Sequence, residues 1–379
     1  MQYSEFKGHK VSKLGFGCMR LPQLSEKPSD IDEATTAEMV AYAFDHGINY
    51  FDTAWGYHDG NSELVMGKIL SQYPRDSFYL ASKFPSYDPS NFGKHEEIFA
   101  RQLEKCQTDY FDFYLLHNIN EGNIEQYLDE ATHGTVAYFK RMRDEGKIGH
   151  LGFSVHGTYE TFMRFMDAYG DDMEFCQIQL NYMDWEFQKA RAKVEYLQDR
   201  NIPIIVMEPL RGGNLVALED EDLATLEAER PGKSAVDWAF RWVTGVPGVF
   251  TVLSGMSTPE QLQDNVRIFD KEDDLTEDER GTLEAIGQRI ASSKGVPCTA
   301  CSYCTAHCPQ ELDIPRLLEL YNEHVSRPGF RFMAPMAIAA MPEEKRPAAC
   351  VACGSCVEVC PQQIDIPGTL AEFTQMLGE

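Results

Sequence analysis

No stretch of this sequence is apolar for long. None approaches the ~20 residues that a membrane-crossing helix needs. The opening MQYSEFKGHK has no apolar core, so neither an anchor nor a secretory leader is expected. Basic residues are scarce: 34 Lys and Arg stand against 60 Asp and Glu, giving a formal charge of −26 and a pI near 4.7. A surface of that sign repels a phosphate backbone and an anionic bilayer, which argues against nucleic-acid and membrane partners. The glycine fingerprint of a Rossmann dinucleotide site is also missing, because Gly15-Phe-Gly17 lacks the third glycine of G-x-G-x-x-G. There remain 379 residues, 43% hydrophobic, an ordinary content for a folded core. The length suits one large domain plus a small one.

Cysteine, by contrast, is concentrated. Of 11 cysteines, eight fall in two runs near the end, Cys298-Thr-Ala-Cys301-Ser-Tyr-Cys304-Thr-Ala-His-Cys308-Pro309 and Cys350-Val-Ala-Cys353-Gly-Ser-Cys356-Val-Glu-Val-Cys360-Pro361. Both read C-x2-C-x2-C-x3-C-P, the pattern of bacterial two-cluster ferredoxins. A cubane cluster has one ligand per iron; three close thiolates wrap three corners and the fourth comes from elsewhere. The resemblance implies one [4Fe-4S] cluster on Cys298, Cys301, Cys304 and Cys360, and a second on Cys350, Cys353, Cys356 and Cys308. The alternatives are zinc sites or a disulfide framework, but a zinc site pairs two C-x-x-C units and has no need of a third close cysteine. The isolated Cys18, Cys106 and Cys176 read as buried thiols. Thiolate-held clusters and the lack of a leader together suit a reducing, cytoplasmic compartment.

Before the cysteines, short apolar runs alternate with helix-length stretches. The runs are 13–19, 48–53, 78–83, 111–117, 150–155, 174–181, 203–208 and 250–254. Runs of this kind between helices are strands buried on both faces of a parallel sheet. Eight of them predict an α/β fold, a closed (β/α)8 barrel over residues 1–290, with residues 2–12 as a hairpin closing its bottom. Capping boxes are expected at Thr35-Thr-Ala-Glu38 and at Thr258-Pro-Glu-Gln261, and a further helix from Thr276. Residues 291–379 contain a repeat, since Cys308-Pro-Gln-Glu-Leu-Asp-Ile-Pro315 matches Cys360-Pro-Gln-Gln-Ile-Asp-Ile-Pro367. Each copy runs into an amphipathic stretch, and a small, mostly helical ferredoxin-like domain is predicted there.

Barrels of this type react at the C-terminal ends of their strands. Asp52, Lys83, His117, Ser154 and Gln177 lie at or near such ends, with Tyr57 five residues past Asp52. The stretches Phe51-Asp52-Thr53-Ala54-Trp55-Gly56-Tyr57, Ala81-Ser82-Lys83, Asp109-Tyr-Phe-Asp-Phe-Tyr-Leu-Leu-His117 and Gly146-Lys-Ile-Gly-His-Leu-Gly-Phe-Ser154 resemble the aldo-keto reductases in sequence and order. The whole chain is similar to the branch of that family with an added two-cluster domain. The resemblance implies reduction of a small carbonyl compound, or oxidation of an alcohol, with a nicotinamide cofactor. Tyr57 would be the general acid, Lys83 would lower its pKa, Asp52 would hold Lys83, and His117 would orient the carbonyl. Ser154 and Gln177 would hold the nicotinamide carboxamide.

The dinucleotide's adenosine end is expected where the eighth strand meets a helix start, a natural anion site. Matching positions are Ser254, Gly255, Gln261, Asp264 and Asn265. Met207 stands where the family often stacks a tyrosine on the nicotinamide, and Leu210 lies in the loop that resembles the family's pyrophosphate cover. Family members often carry Lys and Arg at the positions of Gly255 and Gln261 for the 2′-phosphate of NADP; here no cation appears before Arg267, so NADP(H) and NAD(H) are both open. Nicotinamide moves two electrons as hydride and a cluster moves one. Direct coupling calls for an intermediary such as a flavin, for which the sequence has no signal. Three readings follow: a redox enzyme whose clusters exchange electrons with a ferredoxin-type partner, an ordinary reductase with structural or oxygen-sensing clusters, and a redox-sensing regulatory protein.

Overall fold

The structure, a computed structural model, describes residues 1–271, 273–293, 295–296, 298, 304–326, 332–360 and 364–378. Eight short strands close a parallel barrel: β3 (Leu14–Gly17), β4 (Tyr50–Asp52), β5 (Tyr79–Phe84), β6 (Phe111–Ile119), β7 (Ile148–Val155), β8 (Cys176–Gln179), β9 (Ile204–Met207) and β10 (Val249–Ser254). Each pairs with its sequence neighbours, and β10 returns to β3 through Val252 opposite Leu14. Each of the eight apolar runs overlaps one of these strands, and four of the strands extend one or two residues beyond the run. β3, β5 after its first residue, and β8 are buried throughout, as a strand covered by helices outside and side chains inside must be.

The hairpin of β1 (Tyr3–Phe6) and β2 (His9–Ser12) is antiparallel, with Tyr3 opposite Ser12. Phe6 is buried against Phe250 and Phe113, with ring centroids 4.7 Å and 5.2 Å away. It plugs the barrel at the end remote from the strand C-termini. Asn49 ties the plug on: its Oδ1 accepts from the N–H of Ser12 (2.8 Å) and its Nδ2 donates to the carbonyl of Lys10 (2.8 Å).

The first long helix, Glu33–Asp45, starts earlier than the sequence suggests. Asp32 caps it, accepting from the N–H of Thr35 at 3.0 Å and its hydroxyl at 2.7 Å. A carboxylate beside free N–H groups is a strong cap, and it engages the Thr35 hydroxyl that a capping box at Glu38 would use. At Thr258 half of the expected box forms, with Pro259 at the first helical position: Thr258 accepts the Gln261 N–H, while Gln261 Oε1 accepts from Ser257 instead of Thr258. A reciprocal box forms at Thr276, whose hydroxyl accepts from the N–H of Glu279 (3.3 Å) while Glu279 accepts from the N–H of Thr276 (2.7 Å). The helix that follows, Glu277–Ser293, spans the position where the sequence places the domain boundary.

Beyond it, the described residues of the tail are helices and turns: Ile314–Val325, Met333–Ala339, Ser355–Glu358 and Ile366–Leu377. Asp313 and Asp365, matching positions of the repeat, cap the first and last of these in the same way. The tail has its own core, in which Leu317, Leu318, Ile338, Ile366, Leu370 and Phe373 pack with Cys304 and Cys356. Barrel and tail are joined by a buried cation. Arg211 Nε lies 3.1 Å from both oxygens of Asp184, its Nη1 donates to Ser326 Oγ at 2.8 Å, and its Nη2 donates to Glu323. Gln188 Nε2 reaches the same Glu323 at 2.8 Å. Among the described residues no helix is long and apolar enough to cross a membrane.

Candidate active site and cluster cavity

β4 and β5 are neighbours in register, with Asp52 opposite Ala81. Lys83, two residues further along β5, therefore ends beside Asp52. Its Nζ donates to Asp52 Oδ1 at 2.5 Å and to the Thr53 carbonyl at 2.7 Å, and both side chains are buried. The same Nζ lies over the Tyr57 ring, 4.9 Å from its centroid. The His117 ring stands edge-on to Tyr57 at 6.2 Å and to Tyr87 at 5.8 Å. The four expected chemical residues thus meet at the C-terminal end of the barrel.

The turn that presents Tyr57 is unusual. His58 and Asp59 both have φ 54° in the left-handed region, where side-chain-bearing residues are strained. The His58 ring holds the turn down: Nε2 accepts the Leu21 N–H at 3.0 Å, and Nδ1 lies 2.7 Å from the Pro28 carbonyl it donates to.

The electrostatics differ from the sequence expectation in one respect. Burial first, and then the negative charge of Asp52, push the Tyr57 phenol well above its ordinary value rather than below it. The Lys83 ammonium is already paired with Asp52 and the Thr53 carbonyl, so its pull on the resting phenol does not outweigh burial. Tyr57 therefore rests fully protonated. Burial, followed by Lys83 and His156, holds His117 well below the usual imidazole range, so it rests neutral. Burial also raises the thiols of Cys18, Cys106 and Cys176, the inert state expected of isolated core cysteines.

Asp52, Tyr57 and His117 open onto a cavity of ≈ 620 Å³. Gln177, Met207, Leu210, Ser254, Gly255, Gln261, Asp264 and Asn265 line it as well. Lys83 lies beneath its wall. Ser154 is set back; its Oγ accepts the Asn118 N–H at 2.8 Å, and Asn118 lines the cavity in its place. The buried Gln177 Oε1 has no partner among the described residues, so it fits the amide N–H of a bound carboxamide. At the far end Asn265 Nδ2 holds Ser254 Oγ at 3.0 Å. Gln261 Oε1 accepts the Ser257 N–H at 2.8 Å and so serves its own helix start.

Arg20 is a cavity residue that the sequence reading missed, although it follows the first barrel strand. Its stem lies along Gly255, where a Cβ would come within 3.1 Å of it, and its Nη2 would lie 3.0 Å from a Cβ at Gly212. Arg267 is no substitute, being paired with Asp237 (2.9 Å) and Asp264 (2.8 Å). Tyr87, just past β5, and Asn118, near the end of β6, line the cavity as well. Phe332 and Met336 come from the tail, and nothing in their local sequence marks them.

The tail contains a second cavity. Cys350, Cys353 and Cys356 line it together with Cys308 from the first run, and Leu312, Ile314, Ile366 and Leu370 enclose it. Three thiols of one run and the last of the other, within apolar walls, fit the donor set of a cubane cluster. Cys298, Cys304 and Cys360 pack around the same core; Cys301 lies outside the described residues. Among the described residues no three or more His, Cys, Asp and Glu side chains converge as ligands of a single ion.

Comparison with known proteins accounts for both parts of the chain. The aldo/keto reductase family model matches residues 13–288, and a 4Fe-4S dicluster domain matches residues 297–364. Probable aldo-keto reductase 1 of Glycine max is 29% identical over 216 residues, 55% of this chain and 58% of that protein, so the match spans little more than half of that relative. The uncharacterized oxidoreductase YqkF of Bacillus subtilis is 25% identical over 309 residues, 73% of this chain and 92% of its own. An aldo/keto reductase from Klebsiella pneumoniae, solved in complex with NADP and acetate, superposes with a TM-score of 0.60 at 22% identity, covering 76% of this chain and 95% of that one.

Proposed function

The chain belongs to the aldo/keto reductase family and is an oxidoreductase with a C-terminal 4Fe-4S dicluster domain; on that premise we propose that its barrel, residues 1–290, interconverts a carbonyl compound and an alcohol with NADP(H) or NAD(H), while residues 291–379 hold two [4Fe-4S] clusters that relay electrons to a ferredoxin-type partner. One observation carries the reading: Asp52, Tyr57 and His117 line one cavity, Lys83 lies under its wall, and a glycine-edged cradle at a helix start forms its other end.

In the direction of reduction, the neutral Tyr57 donates its hydroxyl proton to the carbonyl oxygen. The phenolate left behind faces the Lys83 ammonium, which Asp52 keeps in place, and Tyr57 recovers a proton from solvent. His117, neutral, donates an N–H that orients the carbonyl. A nicotinamide bound in the cradle would supply the hydride, and clusters held by the tail cysteines would supply single-electron transfer. In the cradle, Gln177 and Asn118 meet the carboxamide, Ser154 holding Asn118 in position. Met207 and Leu210 would cover the nicotinamide and pyrophosphate, and Ser254, Gly255, Gln261, Asp264 and Asn265 would meet the adenosine end.

Arg20 takes the pyrophosphate, between Gly212 and Gly255. Replacing it by glutamine is expected to weaken NADPH and NADH by a similar factor of about tenfold, the size of one charge-assisted hydrogen bond. Nucleotide titration followed by protein fluorescence checks this, and a loss confined to NADPH would assign Arg20 to the 2′-phosphate instead.

Anaerobic purification tests the whole reading. Two cubanes predict about eight iron and about eight acid-labile sulfide per chain, alongside nicotinamide-dependent reduction of carbonyl compounds. Zinc in place of iron sinks the cluster assignment. Since hydride and cluster differ in electron number, a flavin in the same preparation supports exchange between the two halves. Full carbonyl turnover by flavin-free protein removes the clusters from the catalytic cycle.

A further inference from the structure

Part of the wall of the catalytic cavity does not belong to the barrel. Phe332 and Met336, at the start of and within the tail helix Met333–Ala339, line the same cavity as Tyr57 and His117. Other residues of that helix, Ala334, Ala337 and Ile338, are buried in the tail's core with Cys304 and Cys356. A single helix therefore has one side in the cluster-binding domain and another on the reacting centre.

The barrel grips this helix beside His117. Asn118 Nδ2 donates to the Met336 thioether at 3.2 Å, with Asn120 Nδ2 at 3.8 Å. Asn118 is itself fixed at φ 56°. Its N–H is held by Ser154 (2.8 Å), and its carbonyl accepts from Asn120 (2.7 Å) and Asn123 (2.8 Å). Phe332 stands edge-on to His156, with centroids 5.2 Å apart at 87°. The buried Arg211 bonds to Asp184, Glu323 and Ser326 keep tail and barrel in this arrangement.

The space so enclosed is a slot of rings and a thioether: Tyr57, Tyr87, His117, His156, Phe332 and Met336. Among the described residues this end offers a substrate anion no cation. Asp52 and Glu208 line the cavity, Lys83 is turned onto Asp52, and Arg20 lies at the cradle end. A carboxylate or phosphate on the substrate would lose its water here without gaining a cation, whereas a flat apolar body finds aromatic edges and a polarisable sulfur. We propose that the iron–sulfur domain completes the substrate site, and that the site takes neutral aromatic aldehydes or ketones, with Phe332 and Met336 setting the preference. The inference rests on the carbonyl-reductase reading above.

Steady-state kinetics of the anaerobic full-length protein test it, with benzaldehyde, 4-carboxybenzaldehyde and methylglyoxal as probes. The wild type is expected to favour benzaldehyde over its carboxylated analogue at least tenfold in kcat/KM. Phe332→Ala and Met336→Ala should each lower the benzaldehyde-to-methylglyoxal ratio of kcat/KM about tenfold, through KM more than kcat, and Met336→Leu should restore most of it. Iron content and the visible absorption of the clusters, measured on each variant, separate a local change from a lost domain. With both intact, an unchanged ratio overturns the inference, and so does a wild type that prefers the carboxylated probe. A wild-type protein that binds nicotinamide nucleotide yet reduces none of the probes overturns the carbonyl-reductase reading and the inference with it.

Discussion

Tyr57→Phe is expected to lower kcat for carbonyl reduction by about 10²–10⁴-fold while leaving nucleotide affinity nearly unchanged. The change removes one oxygen and keeps the ring, so the packing against Lys83 and His117 survives. What disappears is the proton that the carbonyl oxygen must receive as hydride reaches carbon. The resting pKa strengthens the expectation, because a phenol pushed well above its ordinary value by burial and Asp52 holds its proton across the physiological range. Activity that persisted within about threefold of wild type would show that another group or water delivers the proton, and that Tyr57 is a packing residue.

The second large effect concerns stability. Arg211→Ala should destabilise the folded protein by about 3–5 kcal/mol, the cost of leaving buried carboxylates without their cation. Arg211, Asp184 and Glu323 are all buried, so water screens little of the loss. The Arg211 charge bridges two domains, so the damage should be localised. Hydrogen exchange is expected to quicken in the helix Ile314–Val325 and around Asp184, and less in β4 and β5, remote from the bridge. A denaturant midpoint unchanged from wild type, or exchange that quickens evenly through the barrel, would contradict the role given to this residue.

How far the sequence reached can be judged at these residues. The eight strands were legible because burial on both faces leaves continuous apolar runs, and the reactive quartet because it lies at or just beyond the ends of successive strands. The cysteine spacing carried the tail, and Cys308 does join the cavity of the second run. Local rules failed where a stronger neighbour competed, as when Asp32 took the helix start from Thr35. They gave the wrong direction for the acidity of Tyr57, since the burial that raises its phenol comes from long-range packing that local sequence does not carry. Arg20, Arg211, Phe332 and Met336 owe their positions to long-range packing. Nothing within ten residues of Met336 announces that its sulfur will rest on an amide more than 200 positions earlier.

The two-sided helix Met333–Ala339 bears on how such an enzyme would fail. Oxygen that attacks the tail's inorganic centres would loosen a partition of the reaction chamber while the proton donor and its lysine stay where they are. Damage would then appear first as carelessness about which molecule is reduced, and only afterwards as silence.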